Sequence, residues 1–191
     1  MKKDLVFVHV PKNAGSSIVE TLRGRGVPAR KVHWDSMDKR HVRRKRRKEG
    51  LMFAVCRNPY ERAQSCYRFF RNKRMKVKYA KDVQTELLIK AYSDWGRFWE
   101  HCDLKRFTAT ATHWKPQCHW IRENVDVVLR FETLQDDWDE LMLSCGYEPC
   151  KVMHKNASKA PPEPMELTQN VIQKINEIYH DDFVRFGYEK L

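Results

Sequence analysis

Apolar and polar positions along the chain mark out a succession of strands and helices. Leu5 to Val10 (LVFVHV) is a nearly continuous apolar run rich in β-branched residues, which predicts a strand buried on both faces. Small and polar residues from Pro11 to Ser17 form a loop. Ile18, Val19 and Leu22 then predict a helix that stops near Gly24 and Gly26, and Val27 to Trp34 is read as a second short strand. Leu51 to Cys56 (LMFAVC) predicts another buried strand. It ends at Arg57-Asn58-Pro59, where Asn58 suits a helix cap and Pro59 the first helical position. Ala63, Cys66, Tyr67 and Phe70 repeat with helical spacing, as do Leu88, Ala91, Trp95, Phe98, Trp99 and Cys102. Such stripes are core faces. Val125 to Leu129 predicts a strand, leading through Arg130-Phe131-Glu132 into a helix to about Cys145. A Lys/Ser/Pro-rich loop covers 156–164. One last helix is predicted from about Thr168, burying Val171, Ile172, Ile175, Ile178, Tyr179 and Phe183. With no internal repeat, a single domain over residues 1–191 is expected, an α/β sandwich with a central, mostly parallel sheet flanked by helices.

Composition narrows the class of protein. The 191 residues suffice for a core without disulfide staples. No stretch approaches the roughly 18 apolar residues of a membrane helix, and Leu5 to Val10 is too short for a signal-peptide core. The chain as written therefore reads as cytoplasmic. None of the six cysteines forms a CxxC pair, so reduced thiols are expected rather than a metal centre or disulfide framework. His113, Cys118 and His119 match no common zinc spacing.

Charge adds a second feature. Lysine and arginine number 37 against 25 acidic residues, a net +12, and eight of the ten residues from Lys39 to Lys48 are basic. Such a run is a solvated face or a docking surface for a polyanion. It lacks interleaved aromatics, so base stacking on a single strand is not suggested.

Ligands of parallel α/β sheets bind beyond the carboxyl ends of the strands. Two polar groups of residues fall there. Lys12-Asn13-Ala14-Gly15-Ser16-Ser17 lies between a strand and a helix start, where backbone N–H groups and the helix dipole favour an anion. The plainer alternative is a capping box made by Ser17 and Glu20. Arg57, at the next strand end, suits bidentate phosphate recognition, with Ser65 following on the helix. The Walker pattern GxxxxGK[ST] is absent and no magnesium carboxylate stands out, which disfavours a kinase.

These segments resemble a family. VHVPKNAGSS is similar to the 5′-phosphosulfate loop of sulfotransferases in its glycan-modifying form, HIPKTGGTS, and FAVCRNPYERAQSCY resembles their 3′-phosphate motif, VRNPYERLVSAY. The resemblance continues through THWKPQ at 112–117, VDVVLRFETLQDDW at 125–138, HKNASK at 154–159 and YHDDFVRFGY at 179–188. It implies a P-loop-like fold and 3′-phosphoadenosine 5′-phosphosulfate (PAPS) as sulfuryl donor. Lys12 matches the lysine on the leaving phosphate, Asn13 to Ser17 the loop around the 5′-phosphate, and Arg57 with Ser65 the pair that holds the 3′-phosphate. Asn13, Ala14 and Ser16 depart from the family's Thr, Gly and Thr. Alanine loses backbone freedom if its position needs a positive φ.

Sulfuryl transfer needs alignment of the reactants, charge stabilisation on the departing phosphate, and a base for the acceptor hydroxyl. Lys12 and backbone N–H groups answer the second need without a metal. His33 lies where the glycan enzymes of the family carry a histidine base, and Asp35 is placed to orient or replace it. His9, on the first strand, is read as packing locally. His113, Trp114 and Gln117 are expected along the acceptor side, against the alternative of a structural anchor at Pro116. Lys155, Ser158 and Lys159 resemble a loop that covers the cofactor. The acceptor implied is a hydroxyl on a carbohydrate or other anionic molecule, with no nucleic acid partner. A P-loop-like nucleotide kinase and a basic nucleic-acid-binding module are the other classes kept in view. A Golgi lumenal setting is the alternative to the cytoplasm if the chain is an excised catalytic domain.

Overall fold

The computed structural model describes residues 2–32, 50–71, 94–103, 112–154 and 165–191. The chain divides into two compact units, Met1–Arg57 with Trp120–Lys159, and Asn58–His119 with Ala160–Leu191. His33, Asp35, the basic run 39–48, Leu88, Ala91, Lys155, Ser158 and Lys159 lie outside the described residues.

The first unit is built on a parallel sheet. Its strands are β1 (Leu5–Val8), β2 (Ala29–Val32), β3 (Leu51–Cys56) and β4 (Val127–Arg130), in the order β2-β1-β3-β4. All three pairings are parallel, with Leu5 opposite Ala29 and Leu51, and Phe53 opposite Val127. Among the described residues, two helices belong to this unit, α1 (Gly15–Gly24) and the later Leu134–Ser144 helix. Side chains alternate along a strand, so Leu5 and Phe7, Phe53 and Val55, and Leu129 share one face. They form one core cluster with Ile18 and Leu22 of α1 and Trp138, Leu141 and Met142 of the Leu134–Ser144 helix. Phe7 stacks on Phe53, and Trp138 meets Phe53 edge-on. Val6, Val8, Met52 and Ala54 on the other face are buried as well. This burial on both faces explains why LVFV and LMFAVC read as unbroken apolar runs.

The second unit is helical. It contains α2 (Pro59–Arg71), α3 (Trp95–His101), two 3₁₀ turns (Thr112–Trp114 and Gln117–His119), and two further helices. Numbered in chain order after α4 (Leu134–Ser144), these are α5 (Gln169–Ile178) and α6 (His180–Phe186). Asn58 caps α2 as expected, its Oδ1 accepting from the Tyr60 N–H at 2.9 Å. Tyr67, Phe70, Phe98, Trp99 and Trp114 pack together, with ring centroids 5.3 Å apart for Tyr67–Phe98 and 5.4 Å for Phe98–Trp114.

Two expectations need correction, and one alternative falls away. The first strand stops at Val8, two residues early, because the chain turns at Pro11. The last helix is two helices, parted at Tyr179, whose φ of −106° and ψ of 23° leave the helical range. The Tyr179 ring is buried, and its O–H donates to the Trp114 carbonyl at 3.0 Å. Ser17 is not the N-cap: Ala14 is, α1 already starts at Gly15, and the Ser17 carbonyl accepts from the Thr21 hydroxyl at 2.9 Å.

All six cysteines are free, and Cys56, Cys66, Cys102 and Cys145 are buried. Among the described residues no helix is long and apolar enough to cross a membrane.

A buried polar network fixes residues 113–118. Arg62 is fully buried and donates to the carbonyls of His113 at 2.9 Å and Lys115 at 3.0 Å. Asp182, also fully buried, accepts from the N–H groups of Gln117 at 2.7 Å and Cys118 at 2.8 Å. Together with Tyr179, these side chains serve five backbone groups of a segment that has no ladder of its own, as buried backbone demands. Burial pushes the Asp182 carboxyl above its usual range, opposed by the Arg62 charge and the backbone donors.

Asp182→Asn should destabilise the protein by about 2–3 kcal/mol at neutral pH, because an amide can accept from only one of the two N–H groups with its oxygen. Urea denaturation checks this. The sign of the pH dependence is also fixed. A carboxyl raised on folding favours the native state most below its unfolded pKa of about 3.9 and loses that advantage as pH rises through the raised value. The stability of the wild type relative to Asp182→Asn should therefore fall with rising pH across that window, then level off.

Candidate functional site

The strand order selects where a ligand site belongs. From β1 the chain moves outward to β2, then crosses to the opposite side of β1 to form β3. The connections thus diverge between the carboxyl ends of β1 and β3, which is where open parallel sheets hold their ligands. The Lys12–Ser17 loop follows β1 and Arg57 follows β3. Asn13 ties these two strand ends together: its buried side-chain amide donates to the Val55 carbonyl at 2.7 Å. That inward contact gives Asn13 a tethering role.

The loop is strained. Lys12 has φ 71° and Ala14 has φ 55°, the only non-glycine residues with positive φ among those described. A left-handed residue with a Cβ costs about 1–2 kcal/mol. Residues of opposite hand in succession make a turn whose N–H groups can converge on an anion. Ala14 is also the N-cap of α1, and no side chain caps this helix. The first intrahelical bond is from the Ile18 N–H to the Ala14 carbonyl at 3.0 Å, so Gly15, Ser16 and Ser17 present the N–H groups of the helix start. The first turn has no acidic residue, and Ser16 is exposed. A cation on the loop, a helix start without a side-chain cap, and no acidic neighbour in the first turn suit a phosphate or sulfate group.

Gly15 answers to a neighbour. A Cβ on it would lie 2.0 Å from Cδ2 of His9, so only glycine lets the imidazole rest on the first residue of α1. His9 also meets Phe7 edge-on at 6.0 Å. It packs locally, as expected.

Arg57 is half-buried, and its guanidinium carbon stands 4.0 Å from the centre of the Phe131 ring. Sequence reasoning quoted Phe131 within a motif but gave it no role, because only strand register reveals the contact. Ser65 is half-buried on α2, in the other unit.

The residues expected along the acceptor side differ among themselves. Trp114 and Gln117 are fully buried, and Trp114 is enclosed by Phe70, Phe98 and Trp99. Their surfaces are engaged in the packing of the second unit. His113 is half-buried and stacks on Phe69 at 5.1 Å. Cys118 is no ready nucleophile: burial and the neighbouring Asp182 push its thiol up to about 12. Among the described residues no group of three His, Cys, Asp or Glu side chains could hold a metal.

The sulfotransferase family model matches residues 1–189, nearly the whole chain. The chain belongs to the sulfotransferase family. It is a transferase, and sulfuryl transfer to an acceptor hydroxyl is the activity its family carries. Searches of curated proteins and of solved structures returned no match. The α/β architecture of this sulfotransferase, with its parallel sheet flanked by helices, agrees with that membership.

Two substitutions in the loop test its strain. Ala14→Gly removes a left-handed penalty of about 1–2 kcal/mol but frees the unfolded chain by about 0.4–1 kcal/mol. A net gain of about 0.5–1 kcal/mol in chemical denaturation is expected. Gly15→Ala should instead lose about 1–3 kcal/mol as the methyl displaces His9.

Proposed function

We propose that this sulfotransferase uses PAPS as donor and a carbohydrate hydroxyl as acceptor. One observation carries the donor reading: the strained Lys12–Ser17 turn and Arg57 follow the two adjacent strands β1 and β3 at their carboxyl ends, in a chain of this family. When bound, the donor supplies the sulfuryl group and leaves as adenosine 3′,5′-bisphosphate. The residues present fit such a group. Lys12 and the N–H groups at the start of α1 would hold the 5′-phosphate, and Arg57 the 3′-phosphate.

The division of labour follows from where charge develops. The bond from sulfur to the phosphate oxygen breaks as that to the acceptor oxygen forms, so negative charge grows on the 5′-phosphate. Lys12 and the start of α1 meet that growing charge, which makes their contribution one to the transition state. Arg57 addresses a phosphate whose charge does not change during the step, so its contribution is to binding. The acceptor proton passes to a base, for which we propose His33, with Asp35 in reserve. An imidazole with an ordinary pKa of about 6.5 can take that proton near neutrality. The carbohydrate acceptor rests on the likeness of the loop to the glycan-modifying form. An anionic acceptor would complement the net charge of +12.

Calorimetry with adenosine 3′,5′-bisphosphate and turnover of labelled PAPS over a panel of glycans test these assignments. Lys12→Ala should lower kcat by about 10²–10³-fold. Arg57→Ala should weaken bisphosphate binding by about 2–4 kcal/mol. Unchanged binding in Arg57→Ala would remove the 3′-phosphate from that strand end.

His33→Ala is expected to lower kcat by at least about 10²-fold with bisphosphate affinity intact. The acidic limb of the kcat–pH profile should disappear with it. Near-native kcat would pass the role to Asp35 or His113.

A further inference from the structure

Arg57 and Phe131 meet because of register. Cys56 and Arg130 are Cα partners in the β3–β4 pairing, and the Phe131 N–H donates to the Cys56 carbonyl at 2.8 Å. The pairing thus runs one residue past the strands, to Arg57 and Phe131. Registered neighbours on parallel strands project to the same face, and the guanidinium carbon lies 4.0 Å from the ring centre. Both residues are half-buried, and Phe131 packs at the edge of the first unit's core, which seats its ring.

This contact has a chemical consequence. An arginine has several rotatable bonds, and holding it in one geometry for a phosphate is entropically costly. A ring face against the guanidinium limits those rotations, while the donors, which lie in the guanidinium plane, still point outward from its edge. We propose that Phe131 is a positioning residue that presents Arg57 to the 3′-phosphate, and so sets the preference for 3′-phosphorylated adenine nucleotides. The inference rests on the donor reading above. It assigns Phe131 no contact with the nucleotide: its effect passes through Arg57 and reaches only ligands that carry a 3′-phosphate.

That restriction supplies the test. Calorimetry measures binding of adenosine 3′,5′-bisphosphate and of adenosine 5′-monophosphate to the wild type, Phe131→Leu, Phe131→Met, Phe131→Tyr, Arg57→Ala and Arg57→Ala/Phe131→Leu. Thermal melts accompany each. Phe131→Leu should lose about 5–30-fold in affinity for the bisphosphate, the worth of one cation–π contact. Its affinity for the monophosphate should stay within about twofold. Phe131→Met also loses the ring face but fills the space with a flexible, adaptable chain, so it should behave alike if the leucine variant folds poorly. Phe131→Tyr keeps the face and should retain wild-type selectivity. The double variant should be no weaker than Arg57→Ala alone.

Equal losses for both nucleotides in Phe131→Leu and Phe131→Met would make Phe131 merely structural and overturn the proposal. So would wild-type selectivity in those variants, or a further loss of bisphosphate affinity in the double variant. A wild type that binds both nucleotides equally would overturn the donor reading and this inference with it.

Discussion

Side-chain alternation along parallel strands in fixed register is the constraint on which the first unit depends. Leu5, Phe7, Phe53, Val55 and Leu129 face α1 and α4 because they occupy alternate positions in paired strands. The same alternation governs the residues just beyond the sheet. His9 continues the row of Leu5 and Phe7 and settles on Gly15. Arg57 continues the row of Phe53 and Val55, Phe131 that of Val127 and Leu129, and the two meet. A slip of one residue between β3 and β4 would send Phe131 to the opposite face from Arg57.

The second unit is held by different physics. Its aromatic cluster supplies apolar burial, but residues 113–118 run through it without a strand or long helix to satisfy their backbone. Arg62, Tyr179 and Asp182 do this from α2 and the α5–α6 junction. Removing any one of them would leave buried backbone groups unserved, which is more costly than the bond itself is worth.

Strain at the β1–α1 loop is the clearest link between structure and chemistry. Two left-handed residues with side chains, Lys12 and Ala14, stand in six residues, at the start of a helix that no side chain caps. Folding alone would be better served by a glycine at 14. Strain of this kind is a feature of ligand sites, and here it accompanies a helix start that no side chain caps. The alanine at 14 retains the backbone geometry that glycine would adopt freely, at a stability cost the remainder of the unit offsets.

By itself the sequence determined the strands β1 and β3 as doubly buried runs, the Asn58-Pro59 helix start and the α/β class. These are legible because local periodicity and cap chemistry are carried by neighbours in the chain. It did not show that the last helix breaks at Tyr179, since Ile175, Ile178 and Tyr179 keep helical spacing across the junction. It placed Trp114 and Gln117 toward an acceptor, whereas an aromatic core and Asp182, 65 residues later, enclose that segment. Serine at 17 looked like a cap because its spacing to Glu20 fits one, but the left-handed Ala14 had already started the helix. Tertiary structure alone decided that Asn13 reaches Val55, that His9 requires Gly15, and that Phe131 lies under Arg57. Each of these depends on register or on close approach between segments remote or turned in the chain, and no local pattern of residues encodes either.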